Sequence, residues 1–388
     1  MGLLNKKQIY GINITRPAAV FMILFALQLS LVYSQPVHAY TVGIIVGKNK
    51  NRTSTSNHEK MCILKNVTDN FSRSGRDVNF VFVQNDRSAI GSANAALELV
   101  SKEVDLALLP LVSHEAAVAA DVLSSSGVPF VTTATATSVI KPGSNGLSIM
   151  PSNLQQAKLL AQLYADKHKG KKLHIVTNQS KEYSKSLSKS FIKAVVSLSP
   201  DVEILEHNYS NVHAPSIASS IGAGEVVFAP LYNPNIAVLY SYLANENRQI
   251  SVIGPDSIGG RKEFFGIIGQ TSDLVDLKFL RNWDHQLKGV NSKAITPYVK
   301  TYCYEKKSTF LTTYSYDLIN FVLSQVDKIP EGTTGSEVIE LLKRSEYQTV
   351  MDGKSMSFDS NGYNKKNMYL YEAKGESIHL VSALGDGM

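Results

Sequence analysis

The sequence predicts an α/β protein of two lobes, each a parallel sheet with helices on both faces. Apolar runs rich in Val, Ile and Leu alternate with stretches of helical periodicity from Tyr40 onward. That alternation breaks once, at SNGLSIMPSN (144–153), and then starts again, the pattern of two successive runs of βα units. The last third is mostly helical and too uneven to stand as a unit of the same kind. With 44% hydrophobic and 19% charged residues, the chain buries a core and is too apolar for disorder.

The first strand is YTVGIIVG (40–47), whose consecutive apolar positions suit burial on both faces. Met61, Leu64, Val67 and Phe71 then recur at three- and four-residue spacing, a helix ending near Gly75. VNFVFV (78–83), an Ala-rich helix ending at LELVSK (97–102), DLALLPL (105–111), HEAAVAADVL (114–123) and VPFVTT (128–133) continue the alternation. After the break come helices near 154–168, 183–198, 214–221 and 235–246. Strands KLHIVT (172–177), VEILEH (202–207), EVVFAP (225–230) and QISVIGP (249–255) lie between and after them. Helices near 289–306, 313–327 and 335–344 precede a strand-rich tail at 346–382.

Residues 1–39 read as a secretory signal peptide. Lys6, Lys7 and Arg16 form a basic flank, Ala18 to Val32 is apolar, and Val37 and Ala39 are the small residues before a cut at Tyr40. An apolar stretch of about 15 residues is short for an uncleaved anchor. The net charge of +6 drops to +3 once those three cations are set aside, since no Asp or Glu precedes Glu59. So small and unclustered an excess argues against nucleic acid as a partner despite a pI near 9.0. Export places Cys62 and Cys303 in an oxidising space, which allows one disulfide and equally allows two separate buried thiols. Sequons start at Asn51, Asn66, Asn70, Asn178 and Asn208.

The motifs of enzymes in this fold class are missing. There is no GxxxxGK[ST] loop, and GAG (222–224) lacks the rest of a dinucleotide fingerprint. GPDSIGG (254–260) has Pro255 where a GxSxG elbow would begin its serine turn. The nine histidines show no metal-binding spacing, and DSNG (359–362) opens like a calcium loop but lacks the later ligands. The expectation is a binding protein with no catalytic residue, no metal and no cofactor.

Open α/β sheets bind ligands beyond the carboxyl ends of their strands, where helix N-termini offer N–H groups and partial positive charge. Ser113 stands at the expected N-cap after the third strand, and Thr133, Thr135 and Thr137 alternate after the fourth. A carboxylate there would receive charge-assisted hydrogen bonds. In the second run Tyr183, Tyr232 and Asp256 follow strands, so that Asp256 would take an ammonium and the rings would wall the cleft. The competing local reading makes Ser113 and Thr137 caps of their own helices and Asp256 a turn residue, since Pro-Asp-Ser is a turn signal.

The order of these pieces resembles the periplasmic solute-binding proteins of branched-chain amino acid ABC transporters, with the type I periplasmic-binding architecture. The match is carried by TVGIIVG after the signal, LLPLVSHEAAVAA, and VPFVTTATATSVI leading to LSIMPSNLQQAKLLAQ. KEYSKSLSKSFIKA with FAPLYNPN and VIGPDSIGG, and TTYSYDLINFVL followed by MSFDSNG, complete it. The resemblance implies two Rossmann-like lobes joined by three crossovers near 148–153, 266–272 and 346–354. Lobe 1 would hold 40–150 plus 272–350, and lobe 2 would hold 151–271 plus 351–388. It makes Ser113 the carboxylate-binding serine, Thr135 a residue whose carbonyl receives the ammonium, and Thr137 a contact to both ends of the ligand. Tyr183 and Tyr232 become cleft aromatics and Asp256 the acid pairing with the ammonium. Two departures bear on the ligand. Leu109-Pro110 replaces the usual Gly-Pro, and the segment after the first strand is the polar GKNKNRTSTSNHEK (47–60). The resemblance further implies a periplasmic monomer that passes a small polar solute, an amino acid first of all, to an inner-membrane permease. The alternative is a sensor of the same fold that reports to a regulator.

Overall fold

The computed structural model describes residues 39–48, 55–246, 248–258, 262–269, 275–283, 291–303, 308–374 and 377–384. The expected leader lies outside them except for Ala39, as do residues 49–54 of the polar segment. No described helix is long and apolar enough to cross a membrane.

The first sheet is built from β1 (Tyr40–Gly47), β2 (Val78–Asn85), β3 (Leu106–Leu109), β4 (Phe130–Thr132) and β5 (Gly146–Ser148). Its strand order is β2-β1-β3-β4-β5 and every pairing is parallel. Helices α1 (Thr55–Arg73), α2 (Ala89–Ser101) and α3 (Ser113–Ser125) connect the strands. The consecutive apolar residues of β1 are buried on both faces, as their pattern requires. Val42 and Ile44 pack with Ile63 and Leu64 of α1 on one side, and Ile45 packs with Ala96 and Leu99 of α2 on the other. The expected break at 144–153 contains β5, whose Gly-Leu-Ser has a single large apolar residue and so makes no apolar run.

The second sheet has the order β12-β11-β10-β9-β8-β6-β7. Here β6 is Leu173–Thr177, β7 Ile204–Asn208, β8 Val226–Phe228, β9 Ser251–Gly254 and β10 Asp276–Arg281, with β11 Met368–Lys374 and β12 Ser377–Leu384. Five strands run parallel, while β11 lies antiparallel to both β10 and β12. The helices are α4 (Asn153–Lys167), α5 (Glu182–Leu198), α6 (Ala214–Ser219), α7 (Asn235–Asn245) and α8 (Lys262–Ile268). Between β10 and β11 the chain forms α9 (Asn291–Cys303), α10 (Phe310–Leu323) and α11 (Gly335–Lys343). Their apolar faces (Ile295, Val299, Leu318, Val322, Leu342) share one core with Val42 and Ile44, so this block covers the first sheet.

Two expected boundaries move. The chain does not return to the first lobe at 272, because β10 pairs with β9 and β11 inside the second sheet. Asp276 and Lys278 alternate with buried Leu277 and Phe279, and those charges masked the strand. The chain also stays with the first lobe past 351. Met351 and Met356 lie in its main core, and Tyr363 packs with Ala134, Ala136, Val139 and Ile140. Buried Asp317 anchors this return: its carboxylate accepts from the Tyr347 hydroxyl at 2.8 Å and from the N–H groups of Val350 and Met351 at 2.8 and 3.1 Å. Burial pushes its pKa up to about 7. The crossover expected near 266–272 therefore comes after β10, and the last one comes after Asn364. That residue ties itself to the first crossover by donating from Nδ2 to the Ile149 carbonyl at 3.0 Å.

Cys62 of α1 and Cys303 at the end of α9 form a disulfide, with 5.7 Å between their Cα atoms. It joins positions 241 residues apart in sequence, which restricts the unfolded chain strongly. Replacing Cys303 with Ser, or reducing the bond, is expected to cost about 2–5 kcal/mol in urea unfolding. A second device ties the edge of the other sheet. His174 of β6 bonds through Nδ1 to Nε2 of His207 on β7 at 2.9 Å, and through Nε2 to Glu225 Oε2 at 2.7 Å. Because Nε2–H faces the carboxylate, Nδ1 is an acceptor and His207 must donate. Burial, then the neighbouring His174, lowers the His207 pKa. The folded state thus binds this proton less readily than the unfolded chain. The stability it brings is whole above about pH 6.5 and fades as pH falls through the lower folded value. Asp317, with its raised value, changes stability in the opposite sense over the same range, so the His207 contribution is read as a difference: the melting-temperature gap between wild type and His207→Gln should shrink between pH 7.5 and 5.5.

Candidate functional site

All six candidate residues come after the carboxyl ends of strands: Ser113 after β3, Thr135 and Thr137 after β4, Tyr183 after β6, Tyr232 after β8 and Asp256 after β9. On the first lobe, the N-cap of α3 is Val112, which gives no side-chain cap; Ser113 is the first helical residue instead. Its buried Oγ reaches sideways and accepts the Ala136 N–H at 3.3 Å. The hydroxyl therefore serves the neighbouring loop, and the capping reading fails. It fails for Thr137 too, because turns rather than a helix come after it. Thr135 is buried, and its carbonyl accepts the Asn153 N–H at 2.7 Å. Thr137 is exposed; its N–H donates to Ser186 Oγ at 3.2 Å, and the two hydroxyl oxygens are also 3.2 Å apart.

On the second lobe Tyr183, near the start of α5, is buried and stacks on Tyr232 with ring centroids 4.8 Å apart. Its hydroxyl donates to Asp256 Oδ1 at 2.5 Å. Burial, then the Asp256 charge, holds this phenol well above its ordinary pKa. Asp256 Oδ2 accepts from Asn282 Nδ2 at 3.0 Å, and the Asp256 N–H donates to Gln156 Oε1 at 2.8 Å. Asp256 is thereby fixed by α4, by α5 and by the segment after β10.

The two half-sites are joined by residues the sequence reading did not single out. Fully buried Asn153 gives its N–H to Thr135 and its Nδ2 to the Tyr183 carbonyl at 3.2 Å. Ser138 Oγ donates to Glu182 Oε1 at 2.7 Å beside the Thr137–Ser186 contact. A signal for them existed: Asn153 and Gln156 sit on the buried stripe of α4, and Ser184, Ser186 and Ser188 are buried along α5. Polar residues on a buried helical stripe require partners. The result is one hydrogen-bonded seam, donor-rich on the first lobe and bearing a carboxylate on the second. Among the described residues no group of three His, Cys, Asp or Glu could hold a metal. A cavity of about 750 Å³ lies elsewhere on the second lobe, between α4, α5 and β12, and none of the six candidates lines it. Tyr183→Phe should cost about 1.5–3 kcal/mol in thermal or urea unfolding, because Asp256 loses a charge-assisted donor.

Residues 66–223 match the family model described as a periplasmic binding protein. A comparison with curated proteins gives no match. Among solved structures, the leucine-binding protein of Thermotoga maritima superposes with a TM-score of 0.75 at 18% identity, covering 89% of this chain and 99% of its own. The branched-chain amino acid transporter substrate-binding protein of Streptococcus pneumoniae, solved with isoleucine, gives 0.71 at 15%, covering 89% and 99%. A solute-binding protein of an ABC transporter from R. palustris, solved with 4-hydroxybenzoate, gives 0.74 at 15%, covering 90% and 97%. At such identities the likeness is one of fold. The chain has the type I periplasmic-binding architecture, and the family-model match lies within it, over residues 66–223.

Proposed function

We propose that this chain, with the fold of ABC-transporter solute-binding proteins, is an exported receptor that captures a small carboxylate solute between its lobes and delivers it to a membrane permease. The observation that carries the reading is the seam itself: all six candidates, predicted separately from strand ends, belong to one network spanning the two lobes. The solute's carboxylate would lie on the first lobe, at the uncapped N-terminus of α3 beside the Ser113 and Thr137 hydroxyls. Asp256, opposite, favours an amino acid, because a carboxylate already oriented by Tyr183 and Asn282 needs no rearrangement to receive an ammonium. Tyr232 gives the solute an aromatic wall. Binding and release need only the lobes to move, with the solute favouring closure by its differential affinity for the closed form. The protein would act as a periplasmic monomer.

Calorimetry with leucine, isoleucine, benzoate and 4-hydroxybenzoate tests the reading. Asp256→Asn keeps the side chain's size and removes its charge. Amino-acid affinity should fall about 10–100-fold, while any benzoate affinity changes little. Equal losses for both classes would mean that Asp256 acts only by holding Tyr183, and the amino-acid assignment would be abandoned.

A further inference from the structure

The MSFDSNG segment finds no role in ligand contact, yet it ends beside the site. Asp359 Oδ1 accepts the N–H groups of Asn361 and Tyr363, both at 2.9 Å, and closes a tight turn. Gly362 has φ +83°, and a Cβ there would stand 2.9 Å from the Gly146 carbonyl oxygen, so the turn presses directly on the end of the first sheet. The Ser148 N–H donates to the Gly362 carbonyl at 2.8 Å, and Tyr363 continues the sheet by one parallel bridge to Ser148. The turn thus aims the Tyr363 ring beneath the loop after β4, where it is 1% exposed. Its hydroxyl donates to the Ala136 carbonyl at 2.6 Å and accepts the Ile140 N–H at 3.4 Å.

Ala136 lies between Thr135 and Thr137, and its two backbone polar groups are held from opposite sides, N–H by Ser113 and carbonyl by Tyr363. We infer that Tyr363 is a positioning residue for the solute: it sets the conformation of the loop 134–140 and links that loop to the third crossover. The link is short, since the next residue, Asn364, is bonded to Ile149 of the first crossover. Strain in the crossovers on opening would reach this backbone through Tyr363 at Ala136, beside the Asn153 N–H on the Thr135 carbonyl, and the Ala136 carbonyl also accepts the Val139 N–H at 3.0 Å. The ligand consequence of this role rests on the proposed site, whereas the hold on the loop stands without it.

The test uses Tyr363→Phe, which keeps the ring and removes the hydroxyl. Hydrogen exchange in the ligand-free mature protein should accelerate at least about 10-fold over residues 134–140, the loss of a buried hydrogen bond. Residues 173–198 of the second lobe should exchange as in wild type. Calorimetry with leucine and with 4-hydroxybenzoate should show about 10-fold weaker binding of whichever binds wild type. Gly362→Ala, which displaces the turn while leaving the hydroxyl, should reproduce the same local exchange pattern and covers the case in which Tyr363→Phe folds poorly. Unchanged exchange over 134–140 in the variant overturns the inference. Faster exchange with unchanged affinity also overturns it, since the loop would be held for stability alone. If neither probe binds wild type, the proposed solutes are wrong, and exchange alone decides the role of Tyr363.

Discussion

A polypeptide that passes three times between two sheets must bring polar backbone out of both sheets at one place, and there each group needs a partner. Asn153 meets that constraint. It stands where the chain first enters the second lobe, fully buried, and satisfies the Thr135 carbonyl on one side and the Tyr183 carbonyl on the other. Both carbonyls belong to segments that carry candidate ligand residues. The same residue that makes the crossing tolerable therefore fixes the separation of the two half-sites. Gln156, one turn further along α4, does the same for the Asp256 backbone.

The second lobe's contribution is rigid for a related reason. Tyr183 is buried, stacked on Tyr232 and bonded to a carboxylate that Asn282 holds from a different chain segment. An aromatic side chain with its hydroxyl satisfied gives up little conformational freedom when a solute arrives. The first lobe differs, because its candidate ligand face is a loop rather than a side chain. The loop owes its shape to Ser113, Ser148 and Tyr363, which engage the Ala136 N–H and the carbonyls of Ala134 and Ala136.

How much of this was legible depends on what periodicity reports. Strands buried on both faces, such as β1 and β6, announce themselves as apolar runs, and helices such as α2 and α5 by their spacing. β10 escaped because Asp276 and Lys278 interrupt it, and β5 because Gly-Leu-Ser holds only one large apolar residue, whereas the equally short β4 and β8 sit in longer apolar runs. The six candidate residues were singled out because their signal is positional: each follows a strand's carboxyl end. Asn153, Ser186 and Tyr363 carry no such mark. Their roles arise from contacts 18 to 227 residues away in sequence, with Thr135, Thr137 and Ala136 respectively, and those contacts exist only once the chain has crossed between lobes. The disulfide belongs with them. Residue types and compartment permit it, but only the packing of α9 against α1 brings Cys303 to Cys62.

These contacts also bear on the balance between open and closed lobes. The Thr137–Ser186 and Ser138–Glu182 bonds join groups of the two lobes without any solute, so on the proposed reading they would favour a closed form whatever lay between the lobes. Each exchanges a hydrogen bond to water for one within the protein, worth about 0.5–1.5 kcal/mol, and more where Glu182 brings a charge. Part of the closure energy would then reside in the chain, and a solute would need to supply only the remainder. That remainder must come from groups a solute can reach in the closed form and not in the open one. The Thr135–Thr137 backbone and the Tyr183–Asp256 pair lie on opposite sides of the seam, so under the proposed function only a solute touching both would gain from closing. A molecule that fitted one half-site alone would bind without moving the lobes.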